Sequence, residues 1–355
     1  MISSLAEIRK PFREASLRHL PELDKDTKTL HIRCGKDIEK KLAIAGFVGD
    51  FLCFSDSYIQ AEVSGIDFDE ASFDIDEKNI SESFGLSVDE IKSSLQKKSE
   101  GLKKAKNYPR VVMWFEHDPY HQLILARLLS YFSDPHNRPK QLQLICVSRL
   151  PGIRRFVGLG QLTPEILHNL WEERKDVSEV QLQLGVRAWR AIKSDSPANI
   201  IQFVSVGMKE MPIMSMALQR FLQELPSSSN GLSMSEELTL KILRDKGELS
   251  AERLFHYYVE SYESMPFMGD SSYWNLLQGL ANAEQPAVVL VKDGDEPLTW
   301  RVRLTATGFV LLHNQLDWLK LNHIVRRVGG ILVDSHKNIN WRFERVTGSI
   351  IAVPT

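Results

Sequence analysis

Residues 115–123 read FEHDPYHQL, which puts Glu116, His117, Asp118 and His121 within a few positions of one another. Carboxylates beside a histidine can do two kinds of chemistry. The imidazole moves protons near neutral pH, and carboxylate oxygens hold Mg²⁺ beside a phosphate. A second polar group lies in SRLPGIRRFVGLGQL (148–162), where Arg149, Arg154 and Arg155 supply guanidinium forks suited to phosphate or carboxylate. Plainer roles exist for each residue. Asp118 precedes a proline and an apolar-periodic run, so it is a natural helix N-cap. Glu116 could face solvent at a strand end, His117 could bond a backbone carbonyl, and His121 reads as an ordinary first-turn residue. HDPYH is not a zinc-binding H-E-x-x-H, because Pro119 leaves His117 ahead of the helix rather than on its face.

The elements that must position these residues alternate from Thr29 onward. TLHIRC (29–34), GDFLCFS (49–55), RVVMWF (110–115) and QLQLICV (141–147) read as strands, with helices at Asp37–Ala45 and Pro119–Phe132. Near-continuous apolar strands separated by helices predict an open, mostly parallel α/β sheet covered on both faces. Ligands bind such sheets beyond the carboxyl ends of the strands. Cys34-Gly35-Lys36, Asp56, Glu116-His117-Asp118 and the arginine loop all fall there. His31 sits inside the first strand, where a buried structural role competes with facing the site. Neither a G-x-G-x-x-G nor a P-loop is present. Gly158 and Gly160 read as turn formers.

The N-terminal segment 1–20 reads as a small amphipathic helix packed on this domain, and 57–109 as an insertion ending in a lysine-rich helix near Val88–Lys106. After the fourth strand the chain turns helical. Thr163-Pro164 opens one helix, and Ser178 with Gln181 forms a capping box that opens another. PSSSNG (226–231) is the best linker candidate. The expected domains are therefore 1–150, a helical extension over 151–229, and 230–355.

The last of these reads as winged-helix-like α+β: helices at Ser235–Lys246, Ala251–Ser261 and Ser271–Asn282, then a hairpin from AVVLV (287–291) and TWRVRLT (299–305). The stretch GDSSYWNLLQGLAN (269–282) that forms its third helix carries Asp270 and neither Lys nor Arg, so duplex DNA is not the expected partner. A protein partner fits better.

Composition agrees with an ordinary globular chain. Lys plus Arg number 44 against 46 Asp plus Glu, a net charge of -2, which gives no field for sequence-independent nucleic-acid binding. The 3 cysteines lie apart inside apolar runs, with no C-x-x-C pair. Together with the absence of an apolar signal core or membrane-length run, this points to the cytoplasm.

LHIRCG, AGFVGDFLCFSD, WFEHDPYHQL, LICVSRLPGIRRFVGLGQLTPE, PSSSNGLSMSE, PFMGDSSYWNLL and LNHIVRRVGG…WRF together resemble a bacterial family, number 1835 among the domains of unknown function, with its usual uncharacterised C-terminal domain. The resemblance runs from Leu30 to Phe343. His31, Gly35, Asp50, Asp56, Glu116, His117, Asp118, Gln122, Arg155, Gly158, Gln161, Gly269, Asp270, Trp274, Asn322 and Arg326 fall on its motif positions. This chain departs from the pattern at Lys36 and His121, where acidic residues are expected, and at Gln60-Ala61-Glu62, which replaces Glu-Gly-Pro. The resemblance implies a two-part architecture and supplies no activity.

The leading expectation is an enzyme, a hydrolase or transferase, acting on a phosphorylated or nucleotide-type small molecule. Glu116, His117, Asp118, Asp56 and His31 would be catalytic. Gly35, Gln122, Arg149, Arg155, Asn322 and Arg326 would bind substrate, and Asp56 with Glu116 would hold Mg²⁺. The rival is a non-catalytic regulatory or adaptor protein whose α/β crevice senses a ligand while the winged helix contacts protein or nucleic acid.

Overall fold

Strand β1 (Thr29–Arg33) buries five consecutive side chains, as a strand covered on both faces must. The computed structural model describes residues 22–55, 88–207, 209–337 and 339–354. These fall into two compact units, 22–193 with 199–218, and 194–198 with 219–354. The expected N-terminal helix, the acidic half of the insertion and Asp56 lie outside the described residues.

In the first unit β1 is followed by α1 (Glu39–Ile44), β2 (Asp50–Cys53), α2 (Val88–Lys104), β3 (Arg110–Glu116), α3 (Pro119–Phe132), β4 (Gln141–Val147), α4 (Pro164–Asn169), β5 (Lys175–Asp176), α5 (Glu179–Lys193) and α6 (Ala198–Gly207). Helix α7 (Pro212–Leu222) carries the chain from one unit to the other. The sheet order is β2-β1-β3-β4-β5. The first four strands are parallel, and β5 runs antiparallel to β4. This is the α/β sheet expected from the sequence. From β1 the chain steps outward to β2, then returns to the other side of β1 for β3. The strand order therefore reverses between β1 and β3, and the crevice beyond their carboxyl ends is the place where open α/β sheets take ligands.

Thr29 registers with Arg110 and Arg33 with Trp114, so His31, Arg33, Val112, Trp114 and Glu116 share one face. That face carries an apolar core built from Ile38, Leu42, Phe47, Val112, Trp114, Leu159, Leu167 and Trp171. The opposite face presents Leu30, Ile32, Val111, Met113 and Phe115, all buried. Helices α3 and α5 pack closely on each other. A Cβ at Gly185 would stand 2.2 Å from the Leu129 Cβ, so only glycine permits this approach. The expected capping box is present: the Ser178 hydroxyl accepts from the Gln181 amide (3.2 Å) and Gln181 Oε1 from the Ser178 amide (3.0 Å). Helices α4 and α5 fall in the same compact unit as the sheet.

The second unit holds α8 (Met234–Lys246), β6 (Leu249–Ser250), α9 (Ala251–Tyr257), α10 (Asp270–Asn282), β7 (Val288–Val291) and β8 (Arg301–Leu304). Its antiparallel sheet has the order β6-β8-β7. Two short helices follow, α11 (Ala306–Leu312) and α12 (Trp318–Leu321). Two hairpins that the sequence did not suggest complete it, β9 (Val325–Val328) with β10 (Ile331–Asp334), and β11 (Ile339–Glu344) with β12 (Ser349–Pro354). PSSSNG is a buried turn rather than a linker. Asn230 donates to Glu237, the Leu311 carbonyl and Asn314, and its own Oδ1 accepts from the Leu232 amide. Polar, turn-rich composition marks a turn equally well whether it lies on the surface or inside a unit. No helix among the described residues is long and apolar enough to cross a membrane.

Candidate functional site

Asp118 ends the β3 turn and caps α3, as its position before Pro119 predicts: its Oδ1 accepts from the His121 amide at 3.1 Å. The cap places the His121 ring back over its own carboxylate, with Nδ1 2.6 Å from Asp118 Oδ2. On the other side of that ring Nε2 lies 3.3 Å from Glu116 Oε1. Both contacts can be hydrogen bonds at once only when both ring nitrogens carry protons. Burial alone would raise the Asp118 carboxyl, but the His121 ring and amide outweigh it and hold the group below the usual carboxylate range.

Glu116 is 1 % exposed and already surrounded by donors. Arg33, equally buried at the end of β1, places Nη2 3.1 Å from both of its oxygens. The Leu159 amide donates to Oε2. Arg33 also grips Asp37 (3.0 and 3.3 Å) and the Trp114 carbonyl (3.4 Å). Burial would lower the Arg33 pKa, but Glu116 and Asp37 raise it further, so the guanidinium stays charged. Gly158 makes the loop contact feasible: a Cβ there would lie 2.5 Å from Glu116 Oε1. Gln161 fixes the same loop, its Oε1 accepting from the Val157 and Gly158 amides and its Nε2 donating to the Arg155 carbonyl. Lys41 of α1 closes it by donating to the Gly160 and Leu162 carbonyls. The arginine-bearing loop is therefore built on Glu116.

His117 differs from its neighbours. It is 7 % exposed, tilted against the Phe156 ring at 5.7 Å, and its Nδ1 is buried without a hydrogen-bond partner. Burial lowers its pKa. Asp118 and Glu116 oppose that shift, and His121 and Arg155 add to it. An unpartnered buried ring nitrogen costs about 1–3 kcal/mol. Arg155, half-buried, is close enough to weigh on the His117 charge. Arg149 and Arg154 are exposed on the same loop.

The remaining expected residues are placed as follows. His31 lies in the core. Its Nδ1 accepts from the Trp114 indole (3.1 Å), which leaves Nε2–H to donate to Asp24 (2.8 Å), and the ring packs on Phe47, Trp114 and Trp171. Both nitrogens are used, so His31 is a buried structural residue. Gln122 ties the sheet together: Nε2 donates to the Glu116 carbonyl (2.6 Å) and toward Cys146 Sγ (3.4 Å). Gly35 follows β1, where a Cβ would come within 2.9 Å of Asp37 Oδ1. Asn322 and Arg326 belong to the second unit. There Asn322 accepts from the Gln285 amide (2.7 Å) and donates to the Trp318 carbonyl (3.3 Å), while Arg326 pairs with Glu236 (2.5 Å). Of the expected magnesium pair, Asp56 lies outside the described residues.

Glu116, Asp118 and His121 offer ligand atoms within 4.8 Å of one another. A dication there would compete with Arg33 for Glu116 and would need a free His121 nitrogen. One imidazole and two committed carboxylates do not fit Mg²⁺, which prefers oxygen donors and retained waters. The thiols nearby are no better suited to attack, since burial pushes Cys34 well up and Cys146 to about 12. Sequence reasoning missed Arg33 and the bridging His121. The signals were available: Arg33 lies two residues after His31 on one strand face, and Asp118 and His121 stand three apart at a helix start. No family model matches the chain, and no curated protein matches it either.

Proposed function

We propose that the first unit is an enzyme acting on a phosphorylated or nucleotide-type small molecule at the carboxyl edge between β1 and β3. The carrying observation is the buried, unpartnered Nδ1 of His117 at the point where the strand order reverses. Its depressed pKa keeps the ring neutral near pH 7, able to accept or pass on a proton. Arg155 clamps the anion. Glu116 and Arg33 act as the frame that holds the arginine loop, and Asp118 with His121 fixes the entry of α3. Three free cysteines suit a reducing compartment, so we place the protein in the cytoplasm. Membership of the family that the motifs resemble is part of the same proposal and rests on those motifs.

The test is release of inorganic phosphate by the full chain from a panel of nucleoside di- and triphosphates and sugar phosphates, each with and without Mg²⁺. Turnover of at least one class is expected, falling about 10²–10⁴-fold in His117→Gln. Equal rates for the two proteins, or no turnover of any class, would contradict the enzyme reading.

The second unit favours a different kind of contact. Its β6-β8-β7 order, interleaved with α8, α9 and α10, supports a winged-helix-like arrangement. Helix α10 offers no cation to a phosphate, and Arg301 on β8 is paired with Glu248 at 2.9 Å. We assign it to docking on protein. Fluorescence anisotropy with random-sequence duplexes at physiological salt should detect no tight complex. Nanomolar binding with a steep salt dependence would favour the regulatory alternative.

A further inference from the structure

The hairpin β9–β10 registers Val325 opposite Asp334. The pairing continues past the strand ends, where the Ser335 amide donates to the Ile324 carbonyl (2.9 Å) and the Ile324 amide to the Ser335 hydroxyl (2.9 Å). The next pair across the chain is therefore His323 and His336. Their rings stack face to face, with centroids 3.8 Å apart and planes within 7°. Asp334 stands beside them, and one ligand atom from each of the three lies within 4.8 Å of the others.

We propose that His323, Asp334 and His336 form a binding site for a divalent transition ion of the zinc, nickel or copper class. Two imidazoles with one carboxylate suit borderline ions rather than Mg²⁺ or Ca²⁺, which favour all-oxygen shells. Two ligands on one tetrahedral ion stand about 3.3 Å apart at ordinary metal–nitrogen lengths. Both histidines are exposed, so the set closes by side-chain rotation alone.

The backbone beneath is held in place. The Asp334 amide donates to Asn340 Oδ1 (3.0 Å), and Asn340 Nδ2 donates to the Asp334 carbonyl (2.7 Å). Asp334 Oδ1 accepts from the His336 amide (3.0 Å), which orients the carboxylate and leaves its second oxygen free of that bond. Three protein ligands leave one coordination position for water or for a group from a partner. An ion bound here would clip the open end of β9–β10, tying His323, two residues before β9, to the last residue of β10 and to His336 two residues beyond it.

Titration of metal-stripped full-length protein with Co²⁺, read by its visible absorption and completed by Zn²⁺ competition, tests the site. Binding at this position should weaken by about tenfold or more in His323→Ala and in His336→Ala. The double variant should bind one ion fewer per chain with an unchanged far-ultraviolet circular dichroism spectrum. A double variant that titrates like the wild type would overturn the proposal. So would loss of the tight ion on His121→Ala alone, which would assign it to the Glu116, Asp118 and His121 set.

Discussion

Two buried arginines invite comparison. In the first unit Arg33 meets Glu116 and Asp37; in the second, Arg220 meets Glu263 at 2.5–3.1 Å and Glu224 at 2.7 Å. The Arg220 network is closed. Ser235 links Arg220 to Tyr258, the Tyr258 hydroxyl returns to Glu263, and no buried side-chain nitrogen or oxygen of these residues lacks a partner. Around Arg33 the charges are equally well paired, yet the adjoining His117 keeps a buried nitrogen without one. Satisfied buried networks specify a structure. An unsatisfied atom beside one calls for an explanation, and the proposed function takes the His117 nitrogen as the place where a ligand binds. Buried ion pairs alone would not have distinguished the two regions.

The largest effects should be shared by both networks. Arg33→Met strands Glu116 and Arg220→Met strands Glu263, so each should lose about 3–5 kcal/mol in urea unfolding. A loss confined to one variant would show that the two networks do not contribute alike. Next comes Gly158→Ala, whose Cβ would meet Glu116 Oε1 at 2.5 Å. It should cost about 1–3 kcal/mol and displace the arginine loop. A crystal structure with Leu159 still donating to an unmoved Glu116 would contradict this.

Asp118→Ala removes a helix cap and should cost about 1 kcal/mol. Its pH dependence follows from the depressed carboxyl. With a folded pKa below the unfolded 3.8, Asp118 contributes stability that is present above that value and is lost as pH falls through the folded pKa. Asp118→Asn should therefore flatten the acid limb of the stability profile below about pH 4. The smallest stability effect belongs to His117→Gln. Because the folded His117 pKa lies below the unfolded 6.5, the wild type loses stability as pH falls from 6.5 toward the folded value, and the variant should lose less. Identical profiles for the two proteins between pH 5 and 7 would remove the support for a buried neutral ring.

Much of the first unit was legible because its determinants are local. Apolar runs gave the parallel strands, the Asp118-Pro119 and Ser178…Gln181 patterns gave helix starts, and position at strand ends gathered Glu116, His117 and Asp118. The roles inside that gathering were not legible. Glu116 reads as an acid–base group until Arg33, Leu159 and His121 are seen to occupy it, and that requires knowing which strands are neighbours. For His31 the sequence left a buried structural role competing with one at the site, and its partners, Asp24 seven residues earlier and Trp114 on the neighbouring strand, support the structural role. The two hairpins from Val325 onward were not read from the sequence, although β11 and β12, at six residues each, are longer than β2, β7 and β8. Gly329-Gly330 between VRRV and ILVD was the available turn signal.

If, as proposed, a phosphate-type anion completes His117, ring-nitrogen NMR of the full-length protein will report it. Selective labelling, with His117→Gln to assign the signal, follows both nitrogens through a pH titration without and with inorganic phosphate or a nucleoside diphosphate. A neutral ring near pH 7 is expected in the free protein, and the anion should shift the Nδ1 resonance and raise the apparent pKa. A His117 signal that titrates at its ordinary value and is unmoved by saturating anion, while other histidines respond, would rule out anion binding at His117.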